Sequence, residues 1–200
     1  MKKTFGIIGA GNIAQTIARQ LSKAGYSVTL SNSRNAESLK EVVAGLGNGV
    51  KAATATEAAK RDIVILAIPW NSLSSLPSIA DWKGKHVIDV INHFVTYQPD
   101  FKVADLGDKT SSEIVQKYIS GAIVVKAFNT LSYKILEKDP DEGNGRRVLF
   151  ISGDTADFKN EVSDLIKSIG FAPVDIGSLA VGGRLQQAKG PLAGLDLVQL

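Results

Sequence analysis

The sequence predicts a doubly wound α/β fold with a mostly parallel sheet, and three observations carry that expectation. Short apolar runs alternate with amphipathic helical stretches along the whole of the 200 residues. A glycine-rich turn joins the first run to the first helix. The runs are apolar at consecutive positions rather than at every second one, the pattern of strands buried on both faces. Strands and helices in strict alternation build parallel sheets through right-handed crossovers.

The elements follow in order. "TFGIIGAGN", from Thr4, reads as the first strand ending in glycines. Ile13, Ile17, Ala18 and Leu21 recur at helical spacing until Gly25 stops the helix. "YSVTLSNS" is the second strand, and Leu39, Val42, Val43 and Leu46 mark a second helix. "VKAAT" predicts a short third strand. Thr54 and Glu57 have capping-box spacing and open a brief helix. "DIVILAIP" and "HVIDVIN" are the fourth and fifth strands. Thr110 and Glu113 form a second capping box, before a helix through Ile114, Val115, Tyr118 and Ile119. "AIVVKAFN", "RVLFISG" and "APVDIG" complete the strands, with the amphipathic "FKNEVSDLIKSIG" before the last of them. The small, apolar tail from Leu179 reads as a helix broken at Gly190-Pro191. Val95 to Lys109 and Lys138 to Arg146 are the least regular stretches.

No repeat, low-complexity segment or linker divides the chain. The expectation is a single domain, with residues 1–130 as a dinucleotide-binding core. Residues 131–200 then form a short C-terminal extension, adding strands and helices on the acceptor side.

Composition excludes several classes of function. A hydrophobic share of 44% with 22% charged residues is that of an ordinary globular chain. The net charge of +3 is scattered, which argues against nucleic acid as a partner and against a polybasic membrane segment. With no cysteine and only two histidines, His86 and His93, no metal site is expected. The first apolar run stops at Asn12, too early for a signal peptide, and no run is long enough to span a bilayer. A cytoplasmic location is the expectation.

Gly9-Ala10-Gly11-Asn12-Ile13-Ala14 matches G-x-G-x-x-[GA] between a strand and a helix, the context that gives the motif its meaning. In such a turn Gly9 permits the tight bend, and Gly11 lets a pyrophosphate approach the backbone. Ala14 lets the helix pack close to the strand. The amides near Asn12 and Ile13, with the helix dipole, favour an anion. The fold is therefore expected to be Rossmann-type.

In that motif a carboxylate normally ends the second strand and binds the ribose 2′-hydroxyl. Here Ser31, Asn32, Ser33 and Arg34 occupy the place. Hydroxyls, an amide and a guanidinium suit a 2′-phosphate, which a carboxylate would repel. Hydrogen bonds to charged groups contribute roughly 1.5–3 kcal/mol each. Two of them favour NADP over NAD by about 100-fold or more. Ligands lie across the carboxyl ends of parallel strands. Ala67, Ile68, Pro69 and Trp70 at the fourth strand end are thus expected to line the cofactor. Asn92, with His93, and Asn129, with Phe128 and Thr130, should flank the nicotinamide.

With these motifs the chain resembles the deazaflavin-dependent NADP reductases, the coenzyme F-420:NADPH oxidoreductase family. It is also similar to the NADPH-binding domain of the six-transmembrane ferric reductases. The matching stretches are Gly9 to Ala14, Ser31 to Arg34, Ile68 to Trp70, "SSEIVQKYI", "VVKAFNTL", "SGD" and "DIGSL…GRL", which together span nearly the whole chain. The family has a His where this chain has Asn129.

The resemblance implies hydride transfer between NADP(H) and a stacked FMN, FAD or deazaflavin ring, with no dedicated catalytic acid or base. Gly9, Gly11, Asn12 and Ile13 would hold the pyrophosphate, and Ser31, Ser33 and Arg34 the 2′-phosphate. Two readings stand beside it: a non-catalytic redox sensor that binds NADP(H), and a reductase of a small carbonyl compound using Asn129 or His93. The apolar tail suggests a homodimer.

Overall fold

Phe5, Ile7 and Ile8 are almost wholly buried in β1 (Thr4–Ile8), the strand from which the sheet extends both ways. This computed structural model describes residues 2–96, 98 and 100–200. After β1 come α1 (Asn12–Lys23), β2 (Ser27–Ser31), α2 (Lys40–Ala44), β3 (Val50–Ala52), α3 (Ala55–Ala58), β4 (Ile63–Leu66) and β5 (His86–Asp89). A small antiparallel pair follows, β6 (Phe94–Thr96) with β7 (Lys102–Val103). Next are α4 (Ser111–Tyr118), β8 (Ile123–Lys126), α5 (Tyr133–Leu136), β9 (Asp141–Glu142) and β10 (Gly145–Gly153). The chain closes with α6 (Ala156–Ser168), β11 (Ala172–Asp175), α7 (Gly182–Gln186) and β12 (Val198–Gln199).

The strand order is β11-β10-β8-β5-β4-β1-β2-β3, and every pair from β8 to β3 is parallel. Helices cover both faces, which explains the continuous apolar runs. Along β4, Ile63 and Ile65 enter the core that holds Ile17 and Leu21 of α1. Val64 and Leu66 enter the opposite core with Trp82 and Val115. Both capping boxes form. Glu57 N donates to Thr54 Oγ1 at 3.2 Å and Thr54 N to Glu57 Oε2 at 2.9 Å. Thr110 N donates likewise to Glu113 Oε2 at 2.8 Å.

Several details depart from the sequence expectation. β10 runs antiparallel to β8, with Ser152 opposite Lys126, although it is parallel to β11. The second helix begins as a 3-10 turn, Glu37–Leu39, and a 3-10 segment, Trp70–Ser78, follows the fourth strand. The tail forms only the five-residue α7, then returns as β12 to pair with Arg146 and Arg147. Arg147, almost fully buried, holds that return through Asp196 and holds β9 through Glu142.

Candidate cofactor-binding site

Five strands end on one row. Ile8 lies opposite both Ser31 and Leu66, Leu66 opposite Asp89, and Asp89 opposite Lys126. Beyond that row the chain turns outward, and a cleft of about 770 Å³ runs across the carboxyl edge of the sheet. Open parallel sheets bind ligands at this edge.

The glycine loop forms the floor at the centre of the row. Gly9 has φ +118, and a Cβ there would lie 2.1 Å from the Ala67 carbonyl oxygen. Only glycine fits the conformation and the approach. Gly9 N donates to Ser31 O at 3.0 Å, tying the loop to the end of β2. Gly11 differs: its φ is −73, and a Cβ there would have no atom within 4 Å, so its missing side chain leaves open space. Gly11 caps α1 with no side-chain hydrogen bond, which leaves the first amides of a twelve-residue helix for another partner. Gln15 Nε2 donates to Ala10 O at 2.8 Å and braces the loop. Gly9, Ala10, Gly11 and Ile13 line the cleft; the Asn12 side chain does not and is exposed.

At one end lies the turn after β2. Ser31 departs from expectation: it is fully buried and its hydroxyl donates to Ile7 O at 3.0 Å. It stabilises the strand pair rather than facing the cleft. Asn32 shapes the turn. Its Oδ1 accepts from Arg34 N at 3.0 Å, and its Nδ2 donates to Ser38 Oγ at 2.9 Å. Asn32, Ser33 and Arg34 all line the cleft. Among the described residues Arg34 has no acidic partner, so its guanidinium is available to an anion.

The opposite wall is Ala67, Ile68 and Pro69, joined by Ser72, Ser75 and Ile79 from the 3-10 segment. Trp70 turns away. It packs on the Leu66–Trp82 core and meets the His93 ring edge-on at 6.0 Å. Burial, with Lys126 and Lys189 adding repulsion, pushes the His93 imidazole down to about 4, so it is neutral near pH 7. His93 is outside the cleft lining.

The far end is built by β5 and β8. Asn92, Phe94, Phe128, Asn129, Leu131 and Tyr133 line it. Phe128 holds φ +62, a left-handed conformation unusual for an aromatic residue, and is buried. Such strain concentrates at functional sites. Asn92 Nδ2 donates to Asn129 O at 2.9 Å, and Asn129 Nδ2 donates to Asn92 Oδ1 at 3.0 Å. Gln186 of α7 completes the cluster, its Nε2 donating to Asn129 Oδ1 at 2.9 Å.

Below this cluster, Lys126 Nζ donates to Asp89 Oδ2 at 3.1 Å and to Ile91 O at 2.8 Å. Burial pushes the Lys126 ammonium down and Asp89 opposes that. Ser112 Oγ donates to the same carboxylate oxygen at 2.5 Å.

Thirteen of the fifteen expected residues thus gather round the cleft or its loop; Ser31 and Trp70 support it from behind. Phe94, Tyr133 and the serines of the 3-10 segment were not among those expected to touch the cofactor. The 3-10 serines carry no sequence signal, whereas Phe128, expected at a strand end beside the nicotinamide, does line the cleft. Gln186 was hidden in a tail read only as small and apolar.

The donors fit a dinucleotide phosphate: an open glycine and uncapped amides at the centre, a free guanidinium at one end, and amides at the other. Comparison with known proteins agrees. Residues 4–93 match the family model described as NADP oxidoreductase, coenzyme F420-dependent. Metalloreductase STEAP3 of Rattus norvegicus is 34% identical over 178 residues, 88% of this chain and 34% of that protein. Metalloreductase STEAP2 of Homo sapiens is 27% identical over 184 residues, 90% of this chain and 34% of that protein. The chain thus spans about a third (34%) of the length of these curated relatives.

Among solved structures, a hypothetical protein from Sinorhizobium meliloti is 43% identical with a TM-score of 0.92, covering 100% of this chain and 97% of its own. A structure described as an F420-dependent NADP-reductase, from Arthrobacter sp. FB24, shares the fold. Its TM-score is 0.78 at 22% identity, over 89% of this chain and 86% of its own. Over residues 4–93 the chain is similar to the NADP oxidoreductase, coenzyme F420-dependent, family.

Proposed function

We propose that this NADP-dependent oxidoreductase passes hydride between NADP(H) and a flavin-type acceptor: FMN, FAD or a deazaflavin. One observation carries the choice of acceptor. The cleft is lined by glycines, aliphatic and aromatic groups, amides and hydroxyls, with Arg34 as its charged side chain. No carboxylate, imidazole, amine or thiol is in the lining among the described residues. Reduction of a carbonyl requires a proton delivered to oxygen, and for that the lining offers, among the described residues, hydroxyls alone, those of Tyr133 and the serines. Hydride transfer to a planar ring needs alignment and exclusion of water instead.

The residues divide that work. Ser33 and Arg34 hold the 2′-phosphate, with Asn32 fixing the turn that presents them. Gly9, Ala10, Gly11 and the amides of Asn12 and Ile13 receive the pyrophosphate. Ala67, Ile68 and Pro69 pack on the central riboses. Asn92, held by Asn129, orients the nicotinamide, which when bound supplies the hydride. Phe128 and Phe94 give it an apolar surface.

The test is NADPH consumption with FMN, FAD and a deazaflavin in parallel with small aldehydes, ketones and imines. Turnover with a flavin-type ring is the expected result. Turnover confined to a carbonyl compound would overturn the acceptor assignment. Tight NADPH binding with no turnover on any acceptor would make the protein a sensor.

A further inference from the structure

We infer that the amide chain Gln186–Asn129–Asn92 has a fixed hydrogen-bond polarity, so that Asn92 presents an N–H donor to the carbonyl group of the bound nicotinamide. This rests on the cofactor reading above. Amide side chains can face either way, and their orientation has to be deduced from fixed partners. Here three main-chain carbonyls, which can only accept, fix all three amides in series.

Gln186 Nε2 meets Lys126 O at 3.2 Å, so its nitrogen must lie on that side. The same nitrogen then donates to the neighbouring Asn129 side-chain atom at 2.9 Å, which makes that atom the oxygen. Asn129 Nδ2 consequently lies on the other side, where it donates to Gln186 O at 2.6 Å and to Asn92 Oδ1 at 3.0 Å. Both of its hydrogens are committed. Asn92 is left with its oxygen inward and its nitrogen donating to Asn129 O at 2.9 Å. One N–H of Asn92 remains without a protein partner among the described residues, on a side chain that lines the cleft.

The consequence is a selective one. The far end of the cleft offers a donor to the ligand and no side-chain amide acceptor. A nicotinamide carbonyl is recognised, while the amide NH2 group is not. A carboxylate in place of the carboxamide is accepted equally well. Gln186, fully buried and outside the cleft, reinforces this by donating to Asn129 Oδ1. Its own Oε1 has no hydrogen-bond partner, which is the cost of turning the nitrogen inward.

The experiment titrates wild-type protein and Asn92→Asp with three ligands: NADP+, its nicotinic acid analogue, and 2′,5′-ADP, which lacks the nicotinamide half. Thermal denaturation checks that the variant is folded. Wild type should bind the acid analogue at least as tightly as NADP+. Asn92→Asp, which puts a carboxylate where the N–H donor was, should lose about tenfold on NADP+, the equivalent of one ordinary hydrogen bond, and more on the acid analogue. Its affinity for 2′,5′-ADP should stay within about twofold.

A wild type that rejects the acid analogue by about tenfold or more would overturn the inference without any variant. So would equal losses on all three ligands, or no loss on any. Failure of wild type to bind 2′,5′-ADP would instead refute the cofactor assignment beneath it.

Discussion

Lys126 and Asp89 form an ion pair with no exposed surface on either side chain, Nζ to Oδ2 at 3.1 Å. The pair joins the last residue of β8 to the last residue of β5, the two strands that carry the far end of the cleft. Asp89 is also bound by Ser112 Oγ and by Ile91 N at 2.8 Å, so both oxygens of the carboxylate are occupied.

Removing one partner leaves the other charge buried alone, which costs about 3–5 kcal/mol. Lys126→Met should therefore lower Tm by about 10 °C or more. The double variant Lys126→Met with Asp89→Asn should regain much of the loss, because the carboxylate charge goes with the ammonium. Calorimetry of the three proteins measures this. A single variant as stable as wild type would refute the claim that the charges depend on each other.

Gly9 and Gly11 should fail in different ways. A methyl on Gly9 strikes the Ala67 carbonyl and sits at a φ of +118, so Gly9→Ala should lose stability. A methyl on Gly11 meets nothing, so Gly11→Ala should keep its stability within about 0.5 kcal/mol of wild type. It should still bind NADPH at least tenfold more weakly, since the methyl enters the space the pyrophosphate needs. Paired melting curves and NADPH titrations separate the two effects.

Arg34→Ala should weaken NADPH binding by about tenfold and NADH binding by less than about twofold. A charge-assisted hydrogen bond to phosphate is worth that much once exposure is discounted. Added salt should narrow the gap between the wild type's two coenzymes. Equal losses for both would place the 2′-phosphate elsewhere.

His93 makes stability depend on pH. Its folded-state value of about 4 lies below the ordinary 6.5 because of burial first and the two lysines second. The unfolded chain therefore takes up a proton more readily than the folded one. The contribution is complete above about pH 6.5 and is lost as pH falls from there to about 4. Comparing Tm from pH 7 to pH 4.5 in wild type and His93→Phe isolates the effect, the variant falling less steeply.

Single-turnover hydride transfer to a flavin-type acceptor should be nearly flat in rate between about pH 6 and 8. Among the described residues no carboxylate, imidazole or amine lines the cleft to gate it. Stopped-flow measurement that found a steep titration would call for a carboxylate, imidazole or amine that the lining does not contain.

Much of this was legible in the sequence, for reasons that are physical. Gly9 and Arg34 were readable because a sharp turn and an unbalanced charge tolerate few residue types. The strands β1, β4 and β5 were readable because burial on both faces demands unbroken apolar runs. The reversal of β10 was not, because direction depends on how α5 and the turn after it pack, and no short hairpin signal marks it. The two-residue strands β9 and β12 are too short to show any period. Ser31 could not be placed because a hydroxyl at a strand end looks alike whether it bonds a ligand or the neighbouring Ile7 carbonyl. Gln186 reaches Asn129 only through the return of the tail, which no local pattern records.

That return grips the turn after β8 twice: through Gln186 on Asn129, and through Gly194 N, which donates to Thr130 O at 2.8 Å. Fraying of the closing segment and release of the coenzyme are then two readings of a single equilibrium. Amide protons in the tail, touching no ligand atom, should exchange with deuterium more slowly once NADPH occupies the cleft, and the retardation should vanish when 2′,5′-ADP is the occupant.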